Sequence, residues 1–246
     1  MRKFLKFCFF LFISSCTSTN LWSPASTNPP KHIGTVVPVS KTITIGENET
    51  LDGKGNLYKW VGAGDCSQTE NMPPMFVLLS GATLKNIWIE NAPDGVHIKG
   101  SNVTIDNLIN VDVCEDAVSI SKSKKYLVGS NITIKNSKFY YCEDKGIQLT
   151  RGSNILIKRN EFYDCSQPIR IKENAKNIQI IENRIWKANN GVKVTGGQAV
   201  ARGNTIIKSK RGFWIEKSGI LLDQGDNRFG EVKENYRQTE SGKINR

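Results

Sequence analysis

The segment 112-DVCEDAVSI-120 sets Glu115 and Asp116 side by side at the mouth of an apolar alternation. A third acid is at hand, because Asp94 opens 94-DGVHIK-99, a segment of the same form as 116-DAVSIS-121. If these two segments stack, three carboxylates fall within one step of each other, a costly arrangement unless they share a cation. Oxygen-only ligands suit a hard divalent ion, and no His or Cys cluster points to zinc. Asp94, Glu115 and Asp116 are therefore the expected metal ligands, and Ca2+ is the expected cofactor. The opposite sign follows along the chain. Lys145 opens 145-KGIQLT-150, Arg170 and Lys193 take outward positions in later segments, and 122-KSKK-125 adds Lys122 in a loop close by. A metal held by acids beside Lys and Arg makes a site for a carboxylated polymer.

The elements that must position these residues are repeats. Six segments superpose: 94-DGVHIK, 116-DAVSIS, 145-KGIQLT, 167-QPIRIK, 190-NGVKVT and 211-RGFWIE, with starts 22, 29, 22, 23 and 21 residues apart. Short strands of alternating polarity at this period predict an all-β fold, a right-handed single-stranded parallel β-helix of about 22 residues per coil. Like positions then form columns along the axis. Val96, Val118, Ile147, Ile169, Val192 and Phe213 fall inward, as do Ile98, Ile120, Leu149, Ile171, Val194 and Ile215. Asn86, Asn107, Asn136, Asn160, Asn183 and Asn204 each precede a strand and are expected to form one ladder at a turn. The longest spacing holds the insertion 122-KSKKYLV-128.

In this order the residues carry a resemblance. The runs 67-SQTENMPP-74, 80-SGATLKNIWI-89, 94-DGVHIKG-100, 112-DVCEDA-117 and 144-DKGIQL-149 resemble the family 3 pectate lyases over roughly residues 42–172. The resemblance implies a compact parallel β-helix, calcium dependence and β-elimination of polygalacturonate. It places the calcium ligands at Asp94, Glu115 and Asp116 and the two essential basic residues at Lys145 and Arg170. Elimination must remove the weakly acidic C5 proton of a uronate, and a cation on its carboxylate stabilises the charge that develops. Lysine can act as a neutral base where neighbouring cations depress its pKa, whereas arginine stays charged. Lys145 is accordingly expected as base and Arg170 as carboxylate clamp, with the exchange of roles left open. Lys122 and Lys193 join Arg170 as expected substrate-binding residues. The chain departs from the family at Gln167, where a lysine is common, at Ile109 and Asn110, where an aromatic pair is common, and at Ser121, where a lysine is common. A protein that binds the polymer without cleaving it would keep the same groove and make no unsaturated ends.

Composition bounds the partner. Lys and Arg outnumber Asp and Glu by 34 to 23, a net +11, which favours a polyanion. Arg2, Lys3 and Lys6 precede 7-FCFFLFI-13, which has the form of a signal-peptide core, and 13-ISSC-16 resembles a bacterial lipobox. Residues 1–15 are thus expected to be a lipoprotein signal peptide, 16–35 a lipidated Cys16 and flexible tether, 36–228 the catalytic β-helix and 229–246 a polar tail. Losing residues 1–15 removes three cations and no acid, which leaves +8 on an exported domain. Export disfavours nucleic acid, so the expected partner is an acidic polysaccharide. The membrane is met only through the lipid, in an outer membrane or at a cell surface, and the protein is secreted if Cys16 is not lipidated. A monomer is expected. Cys66, Cys114, Cys142 and Cys165 remain for disulfides in an oxidising compartment, with their pairing open.

Overall fold

The computed structural model describes residues 22–64, 66, 72–120, 129–173, 175–239 and 241–246. Among them there are only short strands, paired in parallel from coil to coil, and they form the right-handed β-helix expected. Lys122 and Cys16 lie outside the described residues.

Three faces close each coil. The first is a nine-stranded sheet that runs from Ile43–Ile45 through Pro74–Leu78, Asp94–Ile98, Asp116–Ile120, Lys145–Leu149, Gln167–Ile171, Asn190–Val194 and Arg211–Ile215 to Glu234–Gln238. The other two faces merge into one sixteen-stranded sheet, because Thr83–Ala92 and Thr104–Val113 continue unbroken round the corner between them. Strand pleat sends alternate side chains in, and both apolar columns read from the repeats are buried without exception. Each fully buried Val, Ile, Leu or Phe contributes roughly 1.5–3 kcal/mol, so these columns dominate the stability of the stack. On the third face Phe139 and Phe162 continue the pattern as a stacked pair with ring centroids 4.8 Å apart. The long spacing leaves the register intact: Asp116 pairs with Lys145 and Val118 with Ile147 across the insertion.

The asparagines divide into two columns, which corrects the single ladder expected. Asn86, Asn107 and Asn136 occupy a left-handed corner position with φ of 51°, 56° and 53°, which Arg159 and Glu182 fill in later coils. Asn160, Asn183 and Asn204 stand one residue further on, buried. Their Oδ1 atoms accept the backbone N–H of Ser137, Asn160 and Asn183 in the preceding coil, each at 3.0 Å. Their Nδ2 atoms donate to the carbonyls of Ile134, Ile157 and Ile180. Both positions favour Asn for separate reasons, one for tolerance of positive φ and one for bonding a turning backbone. A further exposed ladder joins Asn102, Asn131, Asn154 and Asn177 by side-chain amides.

Residues 22–32 and 229–246 both pack against the coils. Residues 229–246 are not a tail: Glu234–Gln238 and Lys243–Asn245 pair with Arg211–Ile215 and Ile220–Asp223 as a further coil. Within the expected tether, Trp22 packs against Tyr163 and Trp186, Tyr141 donates to Asn28, and His32 meets Trp88, so residues 22–32 lie along the third face. The disulfides pair Cys66 with Cys114 and Cys142 with Cys165.

Candidate functional site

The outer face of the nine-stranded sheet carries the candidate site. Each strand opens with a residue at the edge of this face, presents an outward side chain three residues on, and is followed by a further residue just past it. Along the first column the order is Asp94, Asp116, Lys145, Gln167, Asn190, Arg211. Along the second it is His97, Ser119, Gln148, Arg170, Lys193, Trp214, each hydrogen-bond register neighbour of the next. The third includes Thr150, Lys172, Thr195 and Glu216. The face therefore changes sign along the axis, with acids in the third and fourth strands and cations after them.

Asp94 and Asp116 are both buried, at 5% and 3% exposure, which makes unpaired charge there expensive. Asp94 accepts the Gly95 N–H at 2.9 Å and meets His97 Nε2. Asp116 accepts from Lys145 Nζ at 3.1 Å and from Gln148 Nε2 at 2.5 Å. Burial still outweighs the Lys145 charge and raises the Asp116 pKa. Glu115 is raised as well, first by burial and then by repulsion from Asp94 and Asp116. Among the described residues no three His, Cys, Asp or Glu side chains converge closely enough to hold a metal as placed. The donor set nonetheless fits calcium: three carboxylates, oxygen only, with the Asp94 charge opposing ionisation of both Glu115 and Asp116, and with a cation able to replace the His97 and Lys145 contacts.

Lys145 donates to Asp116 and to Asp144, so it is held from two sides. Arg170 is half-buried, and desolvation lowers its pKa without ending its charge. Lys193 is turned away from free solution: it lies 3.0 Å from Glu216 and 3.6 Å from the centre of the Trp214 ring. The face thus brings together Asp94, Glu115, Asp116, Lys145 and Arg170, while Lys193 belongs to a paired cluster beyond them. Sequence reasoning passed over His97, Asp144, Gln148, Lys172, Trp214 and Glu216. Apart from Asp144, all are legible as outward or strand-end positions of the superposed segments.

Orphaned polar atoms follow the same face. Ser119 Oγ, Gln148 Oε1, Gln167 Oε1, Arg170 Nε, Arg211 Nε and Trp214 Nε1 are buried with no hydrogen-bond partner among the described residues, as are Asn110 Oδ1 and Arg151 Nε. Such atoms are rare in folded proteins, and a row of them marks a surface shaped for a polar ligand.

The family model "Pectate lyase" matches residues 26–209. Among curated sequences, "Probable pectate lyase F" of Aspergillus flavus is 37% identical over 113 residues, 44% of this chain and 46% of that protein. "Probable pectate lyase D" of Emericella nidulans is 44% identical over 84 residues, 32% of this chain and 30% of that protein. The matches span less than half the length of these curated relatives. In fold the chain is similar to endopolygalacturonase I from Stereum purpureum, solved with two galacturonate, at a TM-score of 0.50 and 17% identity over 83% of this chain and 92% of that one.

Proposed function

Because the chain belongs to the pectate lyase family, we propose that it is a calcium-dependent lyase that cleaves (1,4)-α-galacturonan by β-elimination and leaves unsaturated non-reducing ends. The observation that carries the reading is the change from acids to cations along one sheet face lined by orphaned polar atoms. A polyuronate laid along the axis would meet one coil about every 4.8 Å, close to the length of one sugar, so successive carboxylates would fall on successive coils.

Asp94, Glu115 and Asp116 are the residues that would hold calcium, which when bound would neutralise the uronate carboxylate and make its neighbouring proton more acidic. Arg170 suits the carboxylate clamp, since its planar fork matches a carboxylate and its Nε has no partner among the described residues. Lys145, expected as the base, is held by Asp116 and Asp144 and would reach the substrate as a hydrogen-bond donor. The half-buried groove limits water around these charges and so strengthens them. The proposal includes export, with lipid on Cys16, and labelling by a radioactive fatty acid that is lost in Cys16→Ser would support it.

The deciding assay incubates the protein with polygalacturonate, with and without calcium, and follows ultraviolet absorbance of the new double bond. Absorbance that rises only with calcium is the expected result. Polymer binding without absorbance would replace the enzyme by a polyuronate-binding protein.

A further inference from the structure

Beyond Arg170 the groove changes character. Lys193 pairs in register with Arg170, and Trp214 with Lys193, so the two follow at one and two coils, about 5 and 10 Å along the axis. Among the described residues no carboxylate comes within ion-pair distance of Arg170, and Glu216 acts on it only from further off. Every cation on the three later strands is paired. Lys193 Nζ lies 3.0 Å from Glu216, Arg211 Nε 3.6 Å from Glu234, and the exposed Arg237 3.5 Å from the same Glu234.

The pairs are built in. Lys193 is buried, and its amine stands 3.6 Å from the centre of the Trp214 ring, with the Arg211 guanidinium at 4.6 Å, so the indole stabilises both cations where they are. Arg211 also donates to Asn190 at 3.1 Å, and Glu216 accepts from Thr195 at 3.3 Å. A carboxylate arriving on these coils is attracted by Lys193 and Arg211 and repelled by Glu216 and Glu234, so its charge gains little there. Neutral contacts keep their value. The partly exposed indole offers apolar surface, and its Nε1–H, without an acceptor among the described residues, suits an ester carbonyl or a hydroxyl as well as a carboxylate.

Resting on the lyase reading above, we infer that the coils of Lys193 and Trp214 form a subsite that accepts galacturonate whether or not its carboxyl is methyl-esterified. Glu216 sets this tolerance by holding Lys193 neutralised. The free carboxylate is required one coil earlier, where Arg170 meets it, so the protein suits a polymer in which free and esterified sugars are mixed.

The test compares wild type with Glu216→Gln, which releases Lys193 from its carboxylate and leaves the proposed metal ligands, Lys145 and Arg170 in place. With saturating calcium, kcat/KM is measured on polygalacturonate and on partly methyl-esterified pectin. The ratio of the first to the second should rise roughly three- to tenfold in Glu216→Gln, because the released cation now favours a carboxylate. A second readout needs neither calcium nor cleavage: a fully methyl-esterified galacturonan oligomer should shift the tryptophan fluorescence of wild type, and Trp214→Phe should lose the shift. An unchanged or lower ratio in Glu216→Gln, an oligomer that leaves wild-type fluorescence unaltered, or a shift that survives in Trp214→Phe overturns the inference and leaves the lyase reading standing. A wild type that makes no unsaturated product overturns the lyase reading, and the fluorescence shift alone then decides the subsite.

Discussion

Glu115, proposed as a metal ligand, illustrates how burying one carboxylate beside others can burden a fold. Its pKa is raised by burial and by Asp94 and Asp116, so the folded chain binds this proton more tightly than the unfolded chain does. The stabilising contribution is present below the unfolded carboxylate value of about 4.3 and is lost as pH rises through the folded value. Without metal, Glu115→Gln should therefore melt at a higher temperature than wild type at pH 7, and the difference should vanish under acid. Calcium should raise the melting temperature of wild type but much less that of the variant, which should also be impaired as a lyase. Melting curves at both pH values, with calcium and with chelator, check this. Asp116→Ala should weaken calcium binding in titration calorimetry, and an unchanged affinity would remove Asp116 from the ligand set. Arg170→Ala should harm affinity and turnover together, because a bidentate contact binds as well as orients.

At the scale of the coil, the fold depends on two kinds of column that fail differently. Phe162 is fully buried against Phe139, and Phe162→Ala should cost about 3–5 kcal/mol by truncating a packed ring. Asn183→Ala removes a side chain that serves the backbone N–H of Asn160 and the carbonyl of Ile157, at about 1–3 kcal/mol for each buried group left bare. Urea unfolding measures both. The inward columns were legible because period and polarity specify them together: a Val or Ile every 21 to 29 residues at one phase of a strand has no other economical place. The asparagines were misaligned because two neighbouring corner positions each select Asn, so identity alone could not separate Asn136 from Asn160. In the site, the column of Asp94, Asp116 and Lys145 followed from the same superposition. The pairing of Lys193 with Glu216 did not, because it depends on where flexible side chains settle between coils.

The molecule as a whole is a stack of nearest-neighbour contacts whose charge is ordered along its length. Each coil depends on the one before it, so deleting residues 229–246 should expose the Arg211–Ile215 strand and lower thermal stability, whereas removal of a free tail would leave it unchanged. The excess of cations predicts that kcat/KM falls as salt rises while kcat at saturating polymer changes less, because screening acts first on encounter. Steady-state kinetics over a salt series would reveal the split. The position of the acids along the axis carries one more consequence. They lie in the third and fourth of nine strands, preceded by Thr44 and Val77 and followed by the strands of Lys145, Arg170, Lys193 and Arg211. On the lyase reading, a polymer cut at the sign change would be divided unequally: one fragment would rest on nearly uncharged sheet and leave first, while the other would be retained by the cationic strands.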